Sequence, residues 1–178
     1  MAAPQVEASA EGRKSVILIT GWELKGQEME RFGSVDEVLD FAIEREIEAN
    51  KFYKELAARM ENSVMRDVFE DFAKEELGHK ARLEAMKKGE VAIEEEGVGN
   101  LGIADYVVDI EPQPDMSYAD ALMLAMRKEK ASYRLYLDLA AVAEAEELTD
   151  TFLSLAQEEA KHKLRFEIEY DDAVLKED

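Results

Sequence analysis

The chain has 178 residues, of which 47% are hydrophobic and 36% are charged, a balance that suits one globular domain with a buried core. Its formal net charge of −20 opposes binding to nucleic acid or to an anionic membrane, because phosphate groups would be repelled. The sequence contains no cysteine, which excludes disulfides, thiolate zinc sites and cysteine-held iron–sulfur clusters and is compatible with a cytoplasmic location.

The predicted domain covers residues 34–172 and is flanked by an N-terminal arm, 1–33, and a short C-terminal tail, 173–178. The arm is predicted to be partly disordered, because its first part consists largely of Ala, Ser and Glu. Its one compact apolar run, at 16–20, is too short for a signal-peptide core or a membrane span.

Four helices are predicted within this domain, and capping signals mark several of their ends. Ser34 and Glu37 form an S-x-x-E capping box before the first helix. A basic last turn followed by Gly89 ends the second helix. The third helix begins at Ser117 and the fourth near Glu147, after a second short turn.

A long connection, residues 89–116, separates the second helix from the third. A helix of 27 residues is about 40 Å long, and 28 extended residues reach about 90 Å. The connection can therefore run the length of the molecule. We accordingly predict an all-α fold, a ferritin-like antiparallel four-helix bundle with one long crossover connection between helices 2 and 3.

Apolar residues spaced three and four apart form one stripe along each predicted helix, as expected of a face turned towards a bundle core. Strongly polar residues interrupt these stripes only near their middles. The interrupting residues are four glutamates and both histidines of the chain: Glu46, Glu76, His79, Glu129, Glu159 and His162. Neighbouring acids such as Glu44, Glu48, Glu75 and Glu158 fall off the stripes, and we expect them to be exposed to solvent.

The pattern occurs twice, at a constant offset along the chain. Each copy has a glutamate and then, at the same distance downstream, an E-x-x-H motif. The offset relates four pairs: Glu46 and Glu129, Tyr53 and Tyr136, Glu76 and Glu159, and His79 and His162. One helical hairpin thus appears twice, which predicts a pseudo-twofold bundle.

Four carboxylates in an apolar core would repel one another and would be costly to desolvate, whereas two divalent cations would balance their charge. Residues three apart share one helical face, so each E-x-x-H pair can present both ligands together. A single such motif is a weak signal, since a lone buried Glu or His is more often an ordinary core residue. The doubled motif on the core stripes instead predicts two iron ions, with manganese as a possible substitute.

Tyr53 and Tyr136 lie two turns beyond Glu46 and Glu129 on the same stripes. They fit two interpretations equally well. Each is either a packed core residue with a hydrogen-bonded hydroxyl or a donor to a ligating carboxylate across the bundle.

The repeated segments resemble the ferritin-like di-iron carboxylate superfamily, in its rubrerythrin-like branch. The resemblance rests on E-I-E-A-N-K-F-Y with E-L-G-H, and on E-K-A-S-Y-R-L-Y with E-A-K-H. It implies a ferritin-like bundle that holds two iron ions without haem. It also implies a homodimer and these ligand roles: terminal ligands Glu46 and Glu129, bridging ligands Glu76 and Glu159, and one histidine per metal, His79 and His162.

Two departures from rubrerythrins bear on the reaction. Those proteins carry a rubredoxin-type Cys₄ iron domain, whereas this sequence has no cysteine. Electrons would therefore come from an external donor such as a rubredoxin or a reductase. Rubrerythrins also have an extra ligating glutamate one turn after the helix-three ligand, a place that Ser132 occupies here.

Three functions remain open from the sequence. The first is an oxidoreductase that reacts with peroxide or dioxygen using external electrons. The second is a ferroxidase or iron-handling protein, which the acidic surface favours by attracting cations. The third is a non-enzymatic bundle that its metals stabilise.

Overall fold

The computed structural model describes residues 34–89, 112–113, 115–143 and 145–177. They form four helices and no strand: α1 (Val35–Arg59), α2 (Ser63–Lys87), α3 (Tyr118–Val142) and α4 (Glu146–Glu177). The predicted all-α four-helix bundle is confirmed. The last helix was expected to end near Asp172 but continues to Glu177, because no glycine or proline follows to stop it. The N-terminal arm and most of the 89–116 connection lie outside the described residues.

The helix ends follow the predicted capping signals. Ser34 Oγ accepts a hydrogen bond from the Glu37 backbone N–H at 3.3 Å. Ser117 Oγ accepts one from Asp120 N–H at 3.1 Å. Gly89 ends α2 with φ of 72°, a left-handed conformation that glycine adopts without steric cost.

The helices pair in the order expected for one crossover. Helix α1 packs along α2, and α3 packs along α4. The ring of Tyr118, at the start of α3, lies 5.8 Å from that of Phe69, near the start of α2. Helix α3 therefore begins at the end of the bundle where α2 begins, opposite to the end where α2 stops.

The apolar core forms two clusters, each shared by both hairpins. One cluster includes Leu39, Leu83, Tyr136 and Phe152, and the other includes Tyr53, Phe69, Phe72, Leu122 and Phe166. Along each helix, the polar residues predicted at the middle of the stripes lie between members of one cluster and members of the other, which places them at mid-bundle. No helix in the described part of the chain is long and apolar enough to cross a membrane.

Candidate metal centre

The structure brings all six predicted ligands together at the middle of the bundle. Helices α1 and α3 each supply one glutamate, while α2 and α4 each supply a glutamate and a histidine. None of the six is more than 3% exposed: Glu46, Glu76, His79, Glu129, Glu159 and His162. Buried charges of this kind need partners or ions, since desolvation of an unpaired carboxylate costs several kcal/mol, to order of magnitude.

These residues form two overlapping sets of four. Site A consists of Glu46, Glu76, His79 and Glu159, and site B consists of Glu76, Glu129, Glu159 and His162. Within each set, one ligand atom from every residue lies within 4.8 Å of the others. Glu76 and Glu159 belong to both sets, and they are the two residues for which the resemblance implies a bridging role.

Both histidines turn the same ring nitrogen towards the carboxylates. His79 Nδ1 lies 2.9 Å from Glu159 Oε1, and His162 Nδ1 lies 3.3 Å from Glu129 Oε2. The two imidazole rings are nearly parallel, with an interplanar angle of 11° and centroids 5.3 Å apart. The pseudo-twofold symmetry of the sequence therefore extends to the orientation of the ligands.

The opposite nitrogen of each imidazole contacts a carboxylate from the other hairpin. His79 Nε2 lies 2.9 Å from Glu158 Oε2, which also contacts Arg82 Nη2 at 3.1 Å. Equivalently, His162 Nε2 lies 2.9 Å from Glu75 Oε2, and Arg165 Nη1 contacts Glu75 Oε1 at 2.6 Å. An Nε2–H donated to a carboxylate leaves Nδ1 as a lone-pair donor for a metal.

The prediction that Glu75 and Glu158 are exposed to solvent is thus confirmed only in part, because each side chain also contacts a histidine of the centre. Each precedes a predicted ligand glutamate by one residue and therefore lies beside the core stripe. From there, Glu75 of α2 contacts His162 of α4, and Glu158 of α4 contacts His79 of α2. Their side chains are only 41% and 31% exposed. The sequence did contain a signal, since E-E-x-x-H-x-x-R occurs at 75–82 and again at 158–165. Glu44 and Glu48 are exposed, as expected.

The two buried tyrosines also cross between the hairpins. The Tyr53 hydroxyl donates a hydrogen bond to Glu129 Oε1 in site B. The Tyr136 hydroxyl donates one to Glu46 Oε1 in site A. Both interpretations that the sequence left open hold together. Each hydroxyl donates a hydrogen bond to a predicted ligand, and both rings are fully buried in the core.

Without a metal ion, protons must balance the buried charges. Burial raises the pKa of Glu46 to about 7, and burial together with the charge of Glu129 raises the pKa of Glu159 well above its usual value. Burial opposes charging of His162, but contacts with Glu129 and Glu76 raise its pKa to about 11. The centre is thus a set of groups that hold protons in place of cations.

The donor set fits a pair of hard divalent ions. Six buried atoms face one another at the centre but make no hydrogen bond of normal geometry: Glu46 Oε2, Glu76 Oε1, His79 Nδ1, Glu129 Oε2, Glu159 Oε1 and His162 Nδ1. Buried polar atoms without partners are rare in folded proteins. An oxygen-rich set with one imidazole per ion suits iron or manganese.

Comparisons with known proteins agree with this site. The family model for Rubrerythrin matches residues 37–170, three quarters of the chain, so the chain belongs to the rubrerythrin family of ferritin-like proteins. The match spans all six ligands and both tyrosines. No match exists among the curated proteins.

Three solved structures share the fold. A protein of Thermotoga maritima described as a ferritin-like diiron-carboxylate protein is 21% identical, with a TM-score of 0.65 over 82% of this chain and 99% of its own. An uncharacterised protein of Magnetospirillum magnetotacticum is 24% identical, with a TM-score of 0.63 over 78% and 94%. A hypothetical protein of Pyrococcus furiosus is 25% identical, with a TM-score of 0.58 over 76% and 87%.

Proposed function

We propose that the protein is a non-haem di-iron oxidoreductase that reduces peroxide or dioxygen with electrons from an external donor. The observation that carries this proposal is the pair of buried four-residue sites that share Glu76 and Glu159. Two bound iron ions would supply the redox chemistry, since each can give an electron to an oxidant. Rubrerythrin-family membership supports the iron assignment.

The protein's own residues would hold the ions and control their surroundings. Glu46 and Glu129 would each bind one ion, Glu76 and Glu159 would bridge the two, and the histidines would complete the shells. The apolar clusters on either side keep bulk water from the centre. The tyrosine hydroxyls fix the orientation of Glu46 and Glu129 by hydrogen bonds across the bundle.

We propose an external source of electrons, since the sequence contains no cysteine for a rubredoxin-type iron site. Two hydrogen-bonded paths lead from the centre towards solvent, one through His79, Glu158 and Arg82 and the other through His162, Glu75 and Arg165. The arginine side chains are 39% and 48% exposed. We propose that a donor such as a rubredoxin or a reductase delivers electrons near one of these ends. Homodimerisation and a cytoplasmic location stay predictions.

Rapid mixing of the ferrous protein with hydrogen peroxide, and separately with dioxygen, tests the proposal. We expect oxidation of both ions within seconds by at least one oxidant, followed by repeated turnover when a reductant is supplied. Glu76→Gln, which removes a shared ligand, should abolish this reaction, whereas Glu44→Gln on the exposed face of α1 should not alter it. A ferrous protein that reacts with neither oxidant would contradict the proposal.

A ferroxidase or iron-handling function is the alternative, favoured by the net charge of −20, which attracts ferrous ions. It predicts that many ferrous ions are oxidised per chain without added reductant. Uptake that stops at about two ions per chain would exclude storage. A metal that only stabilises the bundle would show neither behaviour, but its removal would lower the unfolding temperature.

A further inference from the structure

A cavity lies outside the metal centre, in the groove between α1 and α2. Its volume is about 310 Å³, within the range of small-molecule sites. The apolar part of its lining includes Ala57, Ala58, Ala73 and Leu77, and Asn50 also lines it. Asn50 is only 6% exposed, and its side-chain amide donates a hydrogen bond to the Ala73 carbonyl at 2.5 Å.

Three basic side chains line the same cavity, Lys54, Arg66 and Lys74, together with a single acid, Glu70. Lys74 forms an ion pair with Asp71 at 2.9 Å. Arg66 donates instead to a neutral acceptor, the Met60 carbonyl, at 2.9 Å. Within the described part of the chain, neither Lys54 nor Arg66 forms an ion pair with a carboxylate, although 42 of the 178 residues are acidic.

The other hairpin shows that the fold does not require these cations. At the offset that relates Glu46 to Glu129, their places are taken by neutral residues: Leu137 for Lys54, Thr149 for Arg66 and Gln157 for Lys74. Thr149 Oγ1 even makes the equivalent capping contact, to the Ala143 carbonyl at 3.4 Å. A neutral side chain thus serves the helix end that Arg66 serves in the first hairpin. The fold therefore does not depend on the positive charges of the α1–α2 groove.

We propose that this cavity binds a small organic anion with an apolar body, of which a medium-chain carboxylate is the simplest example. The alanines and Leu77 would contact the chain, and Lys54 with Arg66 would bind the head group. Charge complementarity favours an anion, because Lys54 and Arg66 form no ion pair among the described residues and the lining contains one acid, Glu70. Such a site is distinct from the metal centre and does not depend on the proposed reaction.

Calorimetric titration of the full-length protein with octanoate tests the proposal. We expect saturable binding of one octanoate per chain, with much weaker binding of acetate, which lacks the chain, and of octanol, which lacks the charge. The double variant Lys54→Leu with Arg66→Thr installs the residues that the other hairpin has at these places. It should weaken octanoate binding by about tenfold or more, since hydrogen bonds to charged groups are lost.

Lys51→Leu is the matched control, because this exposed lysine of α1 lies outside the cavity lining, and the variant should bind octanoate as the parent does. If circular dichroism shows that the double variant has lost helicity, Lys74→Gln replaces it as the cavity variant. The Lys74 side chain is exposed, and its replacement should weaken octanoate binding by less than the double substitution. Absence of octanoate binding would overturn the proposal. So would octanol binding as tightly as octanoate, or equal affinity in parent and cavity variants.

Discussion

At the middle of the bundle, the predicted ligands of the α1–α2 hairpin and the polar residues that contact them have counterparts in the α3–α4 hairpin at one constant offset. The predicted ligands and the two tyrosines repeat, and so do the glutamates and arginines beside the histidines, Glu75 with Arg82 and Glu158 with Arg165. In the outer grooves, the hairpins diverge, since Lys54, Arg66 and Glu70 correspond to Leu137, Thr149 and Leu153 at the same offset. The backbone thus accepts different groove residues, whereas the centre needs both copies of its set.

The two copies also depend on each other. The histidine of each hairpin contacts a glutamate of the other, and the first glutamate of each accepts a hydrogen bond from the other's tyrosine. Neither hairpin therefore contains a complete site. Substitution of a residue that serves both sites should therefore affect the centre more than substitution of a residue that serves only one.

The largest effect is expected from Glu76→Gln, because Glu76 belongs to both sites. The neutral amide cannot balance two cations, so we expect loss of tight binding at both positions. Glu129→Gln, which alters site B alone, should leave one metal ion bound. Metal content per chain after desalting measures both, with Glu44→Gln as the control. Equal metal loss in the Glu76 and Glu129 variants would contradict the shared role.

A smaller loss of metal affinity is expected from Glu158 and Glu75, the glutamates that contact the two histidines. Glu158→Ala removes the partner of His79 Nε2, and we expect it to weaken metal binding at site A by about 10- to 100-fold. Glu75→Ala should do the same at site B. Competition with a chelator of known affinity resolves the two binding steps. If both steps keep their parent affinities in both variants, these glutamates do not position the histidines.

The stability of the metal-free protein should fall as the pH rises above 5. Burial raises the pKa of Glu46 from 4.5 to about 7, so its stabilising contribution is complete below 4.5 and is lost as the pH passes 7. His162 acts in the same direction, since its pKa is raised from 6.5 to about 11 and its contribution fades as the pH approaches 11.

Thermal unfolding in the presence of a chelator at pH 5 and pH 8 measures this effect. Bound metal replaces the protons, so the difference in unfolding temperature between metal-loaded and metal-free protein should widen with pH. Glu46→Gln should flatten the change between pH 5 and 8. A metal-free protein that becomes more stable across this interval would refute the assignment.

The smallest effect is expected from the tyrosines. Tyr53→Phe and Tyr136→Phe each remove one buried hydrogen bond to a carboxylate, which should cost about 1 to 3 kcal/mol of unfolding free energy. The two losses should be similar because the contacts are equivalent. Chemical denaturation of the metal-free variants measures them, with partly buried Tyr133→Phe as the control. A loss in one variant only would show that the halves are not energetically equivalent.

The sequence predicted the parts of this molecule that depend on helical periodicity. Glu76 and His79 were predictable because burial of polar residues on an otherwise apolar stripe costs free energy unless they bind a partner or an ion. Glu75 was missed because it lies off the stripe, and only the packing of α2 beside α4 brings it to His162. The internal repeat contained a signal for Glu75, since the whole E-E-x-x-H-x-x-R segment recurs.

Other features depend on spacing between helices, which periodicity does not contain. The sequence placed Tyr53 on the core stripe but could not identify Glu129 as its acceptor. The α1–α2 cavity was not predicted, because it arises where small residues of two helices face each other. The end of α4 was predicted at Asp172 rather than at Glu177, since no clear stop signal lies between them.

Metal analysis of the purified protein, together with its visible spectrum, measures whether the bundle holds a di-iron centre. We expect about two iron ions per chain and absorption bands typical of an oxo-bridged di-iron centre in the oxidised protein. Chelation should remove both ions and lower the unfolding temperature. Protein that is free of metal at full stability, and that takes up neither iron nor manganese when supplied, would contradict the account.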